Sequence, residues 1–173
     1  MGIRNMFDEM KDVATQLVLK WARYGPEHRI LATDDFTRLA LDTISLCSMG
    51  FRFNSFYAEK LHPFVEAMCD FLIESGRRSQ RIPLPSVFYR SSDAKFNQDI
   101  DIMRKTAEAV LRQRIAEPDN DRNDLLSTML KGRDPKTGQK MTDESIIDNV
   151  ITFLIAGHET TSGLLSYSTV SSH

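Results

Sequence analysis

Apolar residues recur at spacings of three and four along most of the chain, in blocks divided by turn residues, which predicts a succession of amphipathic helices. Met6, Met10, Val13, Leu17 and Trp21 mark a first helix within residues 3–23, stopped by Tyr24, Gly25 and Pro26. Residues 28–31 read as a short strand or an extended link. Thr33 and Asp34 are placed to cap a second helix with the stripe Phe36, Leu39, Ala40, Ile44 and Cys47, and Gly50 supplies its stop. The aromatic run FRFNSFY at 51–57 breaks the helical period and predicts a structured connection with packed rings. His62 and Pro63 open a third helix carrying Phe64, Ala67, Met68, Phe71 and Leu72, and the positive charge of residues 77–81 suits its C-terminal end.

Residues 82–89 (IPLPSVFY) hold two prolines and read as an ordered, irregular apolar loop of the kind that borders something bound. Ser92 or Asp93 is expected to cap a long fourth helix with Phe96, Ile100, Met103, Ala107, Val110, Leu111 and Ile115, ended before Pro118. A polar turn at 120–123, a short helix at 124–130 and a tight exposed turn or small hairpin at 131–140 follow. The last stretch, residues 142–166, has Thr142 as cap, Asp143 and Glu144 in the first turn, and Ile146, Ile147, Val150, Ile151, Leu154 and Ile155 at helical spacing. Phe153 adds a third apolar direction, which predicts a helix enclosed within a larger body. The fold expected is mainly α with little strand, its long helices packed pairwise around a central one.

At 173 residues and 41% hydrophobic content, the chain is one ordinary domain or a piece of one. A formal charge of −2 with both signs interspersed offers no basic face for nucleic acid and no acidic tail. No apolar run approaches the ~18 residues of a membrane span, and the charged opening MGIRNMFDEMKD lacks a signal-peptide core, so a soluble, cytoplasmic chain is expected. Gly2 invites an N-terminal lipidation reading, but the residues after it lack the required Ser or Thr. Cys47 and Cys69 both fall among apolar helical residues and are expected to be buried, reduced thiols.

Into the apolar last helix drop Ala156, Gly157, His158, Glu159, Thr160, Thr161, Ser162 and Gly163. Small and polar residues are poor helix formers and leave polar groups to satisfy, so a packing or a chemical reason is required. A zinc-protease helix would need a second histidine one turn on, where Ser162 stands. Serine nucleophile chemistry lacks its elbow and preceding strand. Two readings remain. In one, Gly157, Thr160, Thr161 and Gly163 form a small-residue seam against another helix, with His158 and Glu159 facing solvent. In the other, the Thr160 hydroxyl turns back to the Ala156 carbonyl, loosens the ladder and opens a groove for a small polar ligand, with Glu159 as a neighbouring proton source.

The run Ala156-Gly157-His158-Glu159-Thr160-Thr161 resembles the oxygen-activation signature of cytochrome P450 monooxygenases, Ala/Gly-Gly-x-Asp/Glu-Thr-Thr/Ser on their long distal helix. LALDTISLCSMGFRFNSFY, NDLLSTMLKG with DPKTG after it, and FLIAGHETTSGLLS together look like the fatty-acid-hydroxylating branch fused to a flavin reductase. The resemblance implies a mainly α fragment of that fold, several packed helices ending in the distal helix. It implies that Thr160 hydrogen-bonds dioxygen or its water, that Glu159 feeds a proton relay, and that Ala156 and Gly157, with Thr161 beside them, border the haem. Phe153 and residues 151–155 would line the distal pocket, plain core packing being the other reading for each. His158 is not expected to ligate iron. Haem would be the cofactor, with FAD, FMN and NADPH acting through a reductase, and a fatty-acid-like molecule and dioxygen as substrates.

In this family a cysteine thiolate on the proximal side holds the iron. Neither Cys47 nor Cys69 lies in a Phe-x-x-Gly-x-x-x-Cys loop, and no Glu-x-x-Arg pair follows the signature. Residues 1–165 are accordingly expected to be the central part of a haem domain without its metal ligand, inactive alone and prone to associate through exposed apolar faces. Residues 166–173, serine-rich and aperiodic, read as an atypical tail unlike a buried helix, and as a departure from the family's reading frame. The alternative is a non-catalytic helical interaction module or a vestigial truncated product.

Overall fold

The computed structural model describes residues 6–25, 27–83, 85–117 and 122–170. Six α-helices carry the fold: α1 (Phe7–Ala22), α2 (Ala32–Met49), α3 (Pro63–Ser79), α4 (Arg90–Ala116), α5 (Leu125–Lys131) and α6 (Asp143–Val170). Short 3₁₀ turns at Ser55–Tyr57 and Ser86–Tyr89 complete the described helical structure. Residues 28–31 are an extended link, and the sole strand-like pairing among the described residues is a bridge between Arg133 and Lys140, which closes the small hairpin. Residues 3–5 of the first predicted helix, Leu84 of the proline loop, residues 120 and 121 of the polar turn, residues 171–173 of the tail and the rejected lipidation site at Gly2 lie outside the described residues.

Helix α6 packs along α2 and against α4 and α5; α1 lies on α2, and α3 pairs with α4. The last pair runs antiparallel, since Asp70 meets Lys95, Phe71 stacks on Phe96, and Arg78 bonds Asp93 at 2.6 Å. One core results, in which Leu41, Phe64, Met68, Met103, Leu126, Val150 and Leu154 are almost wholly enclosed. It is built from the apolar stripes that the spacing marks, because residues three and four apart share a helix face.

Helix starts depart from expectation. The α2 ladder begins at the Leu31 carbonyl, which accepts from the amides of Asp34 and Asp35, so Thr33 and Asp34 sit inside the first turn and no side chain caps it. The carboxylates are used elsewhere: Asp34 accepts from Arg38 at 3.0 Å, and Asp35 from Lys20 at 2.5 Å and the Trp21 indole at 2.6 Å. Helix α4 likewise begins at Arg90, continuing out of the 3₁₀ turn, so neither Ser92 nor Asp93 caps it; Asp93 pairs instead with Arg78 and Arg81. At α3 the cap is the His62 ring, whose Nδ1 accepts from the Phe64 amide at 3.1 Å. Thr142 caps α6 as the sequence suggests, accepting from the Ser145 amide, and Asp124, expected inside the short helix, instead caps it by accepting from the Ser127 amide.

Two buried polar clamps hold the connections. Arg38 donates to the carbonyls of Ser55, Ala58 and Glu59 at 2.5, 2.7 and 2.9 Å, and Asp42 accepts from the Ser55 amide and hydroxyl at 2.9 and 2.8 Å. They tie the aromatic connection to α2, where Phe51, Phe53 and His62 meet edge to face. At the end of α2, Gly50 takes φ +63° and returns its amide to the Leu46 carbonyl. Arg114 of α4 donates to the Met49 carbonyl at 2.6 Å and grips both Asp124 oxygens at 2.8 and 2.5 Å. A carbonyl left over at the end of one helix thus joins three elements.

Residues 166–169 are helical, against the expectation of an aperiodic tail. Ser166, Ser168 and Thr169 donate to the carbonyls of Ser162, Leu164 and Leu165 at 2.8, 2.9 and 3.2 Å, so short hydroxyl side chains fold onto the ladder already formed. Cys47 is buried as expected, but Cys69 is exposed on α3; both are free thiols.

Candidate functional site

Helix α6 has two unlike sides. Val150, Leu154, His158 and Ser162, each one turn from the last, are buried toward the helices beneath. Ala156, Thr160 and Tyr167 lie on an exposed stripe that half-buried Phe153 begins, since residues at i, i+3 and i+7 share a face. Leu164, 70% exposed, borders it. The structure therefore brings Phe153, Ala156 and Thr160 onto one surface. Glu159 is exposed a third of a turn to one side, close enough to Cys69 of α3 for its charge to act on that thiol. Gly157 and Thr161 stand on the other side of the stripe, Thr161 exposed and Gly157 half-buried.

The Thr160 hydroxyl donates to the Ala156 carbonyl at 2.6 Å, the back-bond expected from sequence. With its hydrogen engaged there, Oγ1 keeps its lone pairs on the open side. The Ala156 carbonyl also belongs to the peptide that joins Gly157, and an added Cβ on Gly157 would come within 2.7 Å of Ile44 Cγ1. That contact is the one place where the small-residue seam exists: a Cβ on Gly163 would meet nothing within 4 Å, and Thr160 and Thr161 are exposed.

His158 is the residue whose placement sequence reasoning missed. Expected at solvent in the seam reading, it is 4% exposed, and neither ring nitrogen has a hydrogen-bond partner among the described residues. Its position four residues beyond Leu154 and eight beyond Val150 carried the signal, since that series continues the core stripe. Burial pushes its pKa below the ordinary value of 6.5. The sign of the linkage follows: the unfolded chain takes up a proton below about pH 6.5 that the folded chain refuses, so stability is full above that value and falls as pH drops below it. His62, depressed by burial as well, acts in the same direction. Denaturant unfolding at about pH 5 and pH 7.5 should show a lower midpoint at the acid value, and His158→Phe should shrink the difference; an unchanged difference in that variant would show that His158 is not its source.

No group of three or more His, Cys, Asp or Glu able to hold a metal ion occurs among the described residues. The Cys47 thiol is pushed up to about 11, by burial first and then by the Glu9 carboxylate; that of Cys69, on an exposed residue, is raised by the partial cover of its sulfur and then by the Glu159 and Asp70 carboxylates. Both thiols are thus shifted toward their protonated forms. No helix among the described residues is long and apolar enough to cross a membrane.

The family model described as Cytochrome P450 matches residues 1–168. The chain is 56% identical over 168 residues to a bifunctional cytochrome P450/NADPH–P450 reductase of Fusarium oxysporum, covering 96% of this chain and 16% of that protein. A protein of the same description from Aspergillus oryzae is 56% identical over 167 residues, covering 96% of this chain and 15% of that one. A self-sufficient cytochrome P450 monooxygenase of Phanerodontia chrysosporium is 51% identical over 166 residues, covering 96% and 16%. The chain thus spans about one sixth of the length of the curated relatives it matches.

Proposed function

The chain belongs to the cytochrome P450 family, and from that premise we propose that α6 forms the oxygen-side wall of a haem site in a monooxygenase acting on fatty acids. The observation that carries this reading is the open stripe with the Thr160 hydroxyl bonded back to Ala156 O at 2.6 Å. The residues fit a haem on that side. Phe153, Ala156 and Thr160 present an apolar ring, a methyl and one hydroxyl, an uncharged surface of low relief for a flat macrocycle, with Gly157 and Thr161 at its margin. None of these residues carries a thiol, and Cys47 lies buried on α2.

Haem bound there supplies the activation of dioxygen for inserting one oxygen atom into a C–H bond. The residues of this chain manage protons. Thr160 Oγ1, its own hydrogen held on Ala156 O, would accept at its open lone pairs a hydrogen bond from a water that the solvent-exposed Glu159 carboxyl reprotonates, so that a proton is held beside the substrate without Oγ1 giving up its own. Phe153 and Leu164 keep the approach to that oxygen apolar, which favours an alkyl chain over a polar substrate and excludes bulk water. The relatives' names, with their NADPH–P450 reductase, support electron supply from NADPH through a flavin reductase carrying FAD and FMN. The test is turnover by the full-length protein with NADPH and a saturated fatty acid. Hydroxylated acid is the expected product; haem-loaded protein that oxidises other substrates but no fatty acid would overturn the substrate class.

A second reading, that the 173 residues by themselves are a helical module without catalysis, is favoured by the placement of both thiols within helices, Cys47 buried on α2 and Cys69 on α3. Mixed with haemin, reduced and exposed to carbon monoxide, the isolated segment should give no thiolate-type red-shifted Soret band. Seeing the band would mean that Cys47 or Cys69 ligates after all.

A further inference from the structure

We propose that Ile44 of α2 is a positioning residue for Thr160, seated in the notch that Gly157 leaves in α6 and thereby fixing the carbonyl that holds the Thr160 hydroxyl; the proposal rests on the reading of Thr160 given above. A Cβ built on Gly157 would lie 2.7 Å from Ile44 Cγ1, 2.9 Å from Cδ1 and 3.4 Å from Cβ. The first two distances are below any real carbon contact, so the Ile44 side chain occupies the space a larger residue would need. Ile44 is itself braced against the core shared by α2, α3, α4 and α6, and α2 and α6 pack along each other, so it does not yield freely. The atom it controls is one bond away: the nitrogen of Gly157 is joined to the Ala156 carbonyl carbon, whose oxygen receives the Thr160 hydroxyl at 2.6 Å. A planar peptide moves as a unit, so displacing Gly157 moves that acceptor and turns the hydroxyl with it.

Sequence alone hid this relation, because Ile44 belongs to the plain apolar stripe of α2, 113 positions before Gly157. Among the described glycines only Gly157 would bring a Cβ this close to an apolar side chain: Gly25, Gly76, Gly138 and Gly163 would meet nothing, Gly132 would meet backbone, and Gly50 would meet arginine side chains. The contact therefore sits at one turn of α6, the turn that bears Thr160.

The experiment uses the full-length protein with Gly157→Ala, Ile44→Ala, Ile44→Val, the double variant Gly157→Ala/Ile44→Ala, and Thr160→Ala as reference. Two readouts are taken: product formed per NADPH consumed, and amide hydrogen exchange across residues 154–164, which needs no turnover. Gly157→Ala should lower coupling by about tenfold and raise exchange around 156–161, since small displacements near reacting atoms have large effects on rate. The double variant, in which Ile44 Cγ1 and Cδ1 are gone, should recover most of both. If Gly157→Ala does not fold, Ile44→Val, which removes only Cδ1, should still lower coupling measurably and raise the same exchange. A double variant no better than Gly157→Ala, or Ile44→Val with unchanged coupling and exchange, overturns the proposal. Thr160→Ala separates the premises: if it uncouples while the Ile44 and Gly157 variants do not, only the positioning role fails; if it stays coupled, the role of Thr160 fails.

Discussion

In the full-length protein, Thr160→Ala is expected to continue consuming NADPH and oxygen while hydroxylated product per NADPH falls by about tenfold or more, short of the roughly 10²–10⁴ that a positioned proton-transfer group contributes to rate. The loss is chemical and not structural. Thr160 is exposed and bonds only its own helix, at Ala156 O, so truncation removes no packing and puts a better helix former in its place. Unfolding midpoints of variant and parent should agree within about 0.5 kcal/mol, the usual range for surface changes. On the roles proposed above, without Oγ1 a proton supplied by Glu159 would have no fixed point of delivery, and reduced oxygen would leave as peroxide or water. Thr160→Ser, which keeps a hydroxyl able to reach the same carbonyl, should retain most of the coupling. Product yield and peroxide release measured together decide it: an alanine variant as coupled as the parent would remove Thr160 from the mechanism.

The largest stability effect is expected at Arg114. Its guanidinium is buried and makes bonds to both Asp124 oxygens, Ser127 Oγ and the Met49 carbonyl. Arg114→Met keeps the stem but strands a buried carboxylate and a helix-terminal carbonyl, and breaking a buried pair from one side costs about 3–5 kcal/mol. That is a large share of the roughly 5–15 kcal/mol by which a domain is stable, so the variant should accumulate poorly. Burial works to raise the Asp124 pKa, but the bonds from Arg114 and Ser127 outweigh it and hold the carboxyl below 3.8. The pair's contribution is therefore full above that value and is lost as pH falls through the lower, folded one. Urea unfolding of Arg114→Met, Asp124→Asn and the double variant should be strongly non-additive, because the second change removes the group the first left unpaired. A loss below about 1 kcal/mol in Arg114→Met would show the cluster to be ornamental to stability.

The helical blocks were legible because each has an apolar stripe of the right period bounded by turn residues: Gly50 stops α2 as its type suggests. The starts of α2 and α4 were not, because Asp34, Ser92 and Asp93 have the chemistry of caps but find other partners across space or along the chain. The Thr160 back-bond could be read from a four-residue spacing. Local spacing could not give the buried clamps of Arg38 and Arg114, whose partners lie 10 to 65 positions away; a charged residue within an apolar stripe was the available sign, as for Arg114 four beyond Val110. His158 and the serines after Leu165 show the two opposite errors: a polar residue on a buried stripe taken for a surface one, and a polar run on a continuing helix taken for its end. Ile44 was invisible for a different reason, since its meaning comes from a side chain that Gly157 does not have.

The most direct test of the central claim, that the open stripe of α6 is the oxygen-side wall of a haem site, is a crystal structure of the full-length protein loaded with haem. The account predicts the macrocycle lying against Ala156 and Thr160, with the iron held from the opposite side by a residue other than Cys47 or Cys69. A macrocycle seated elsewhere, or iron bound by either of those thiols, would contradict it.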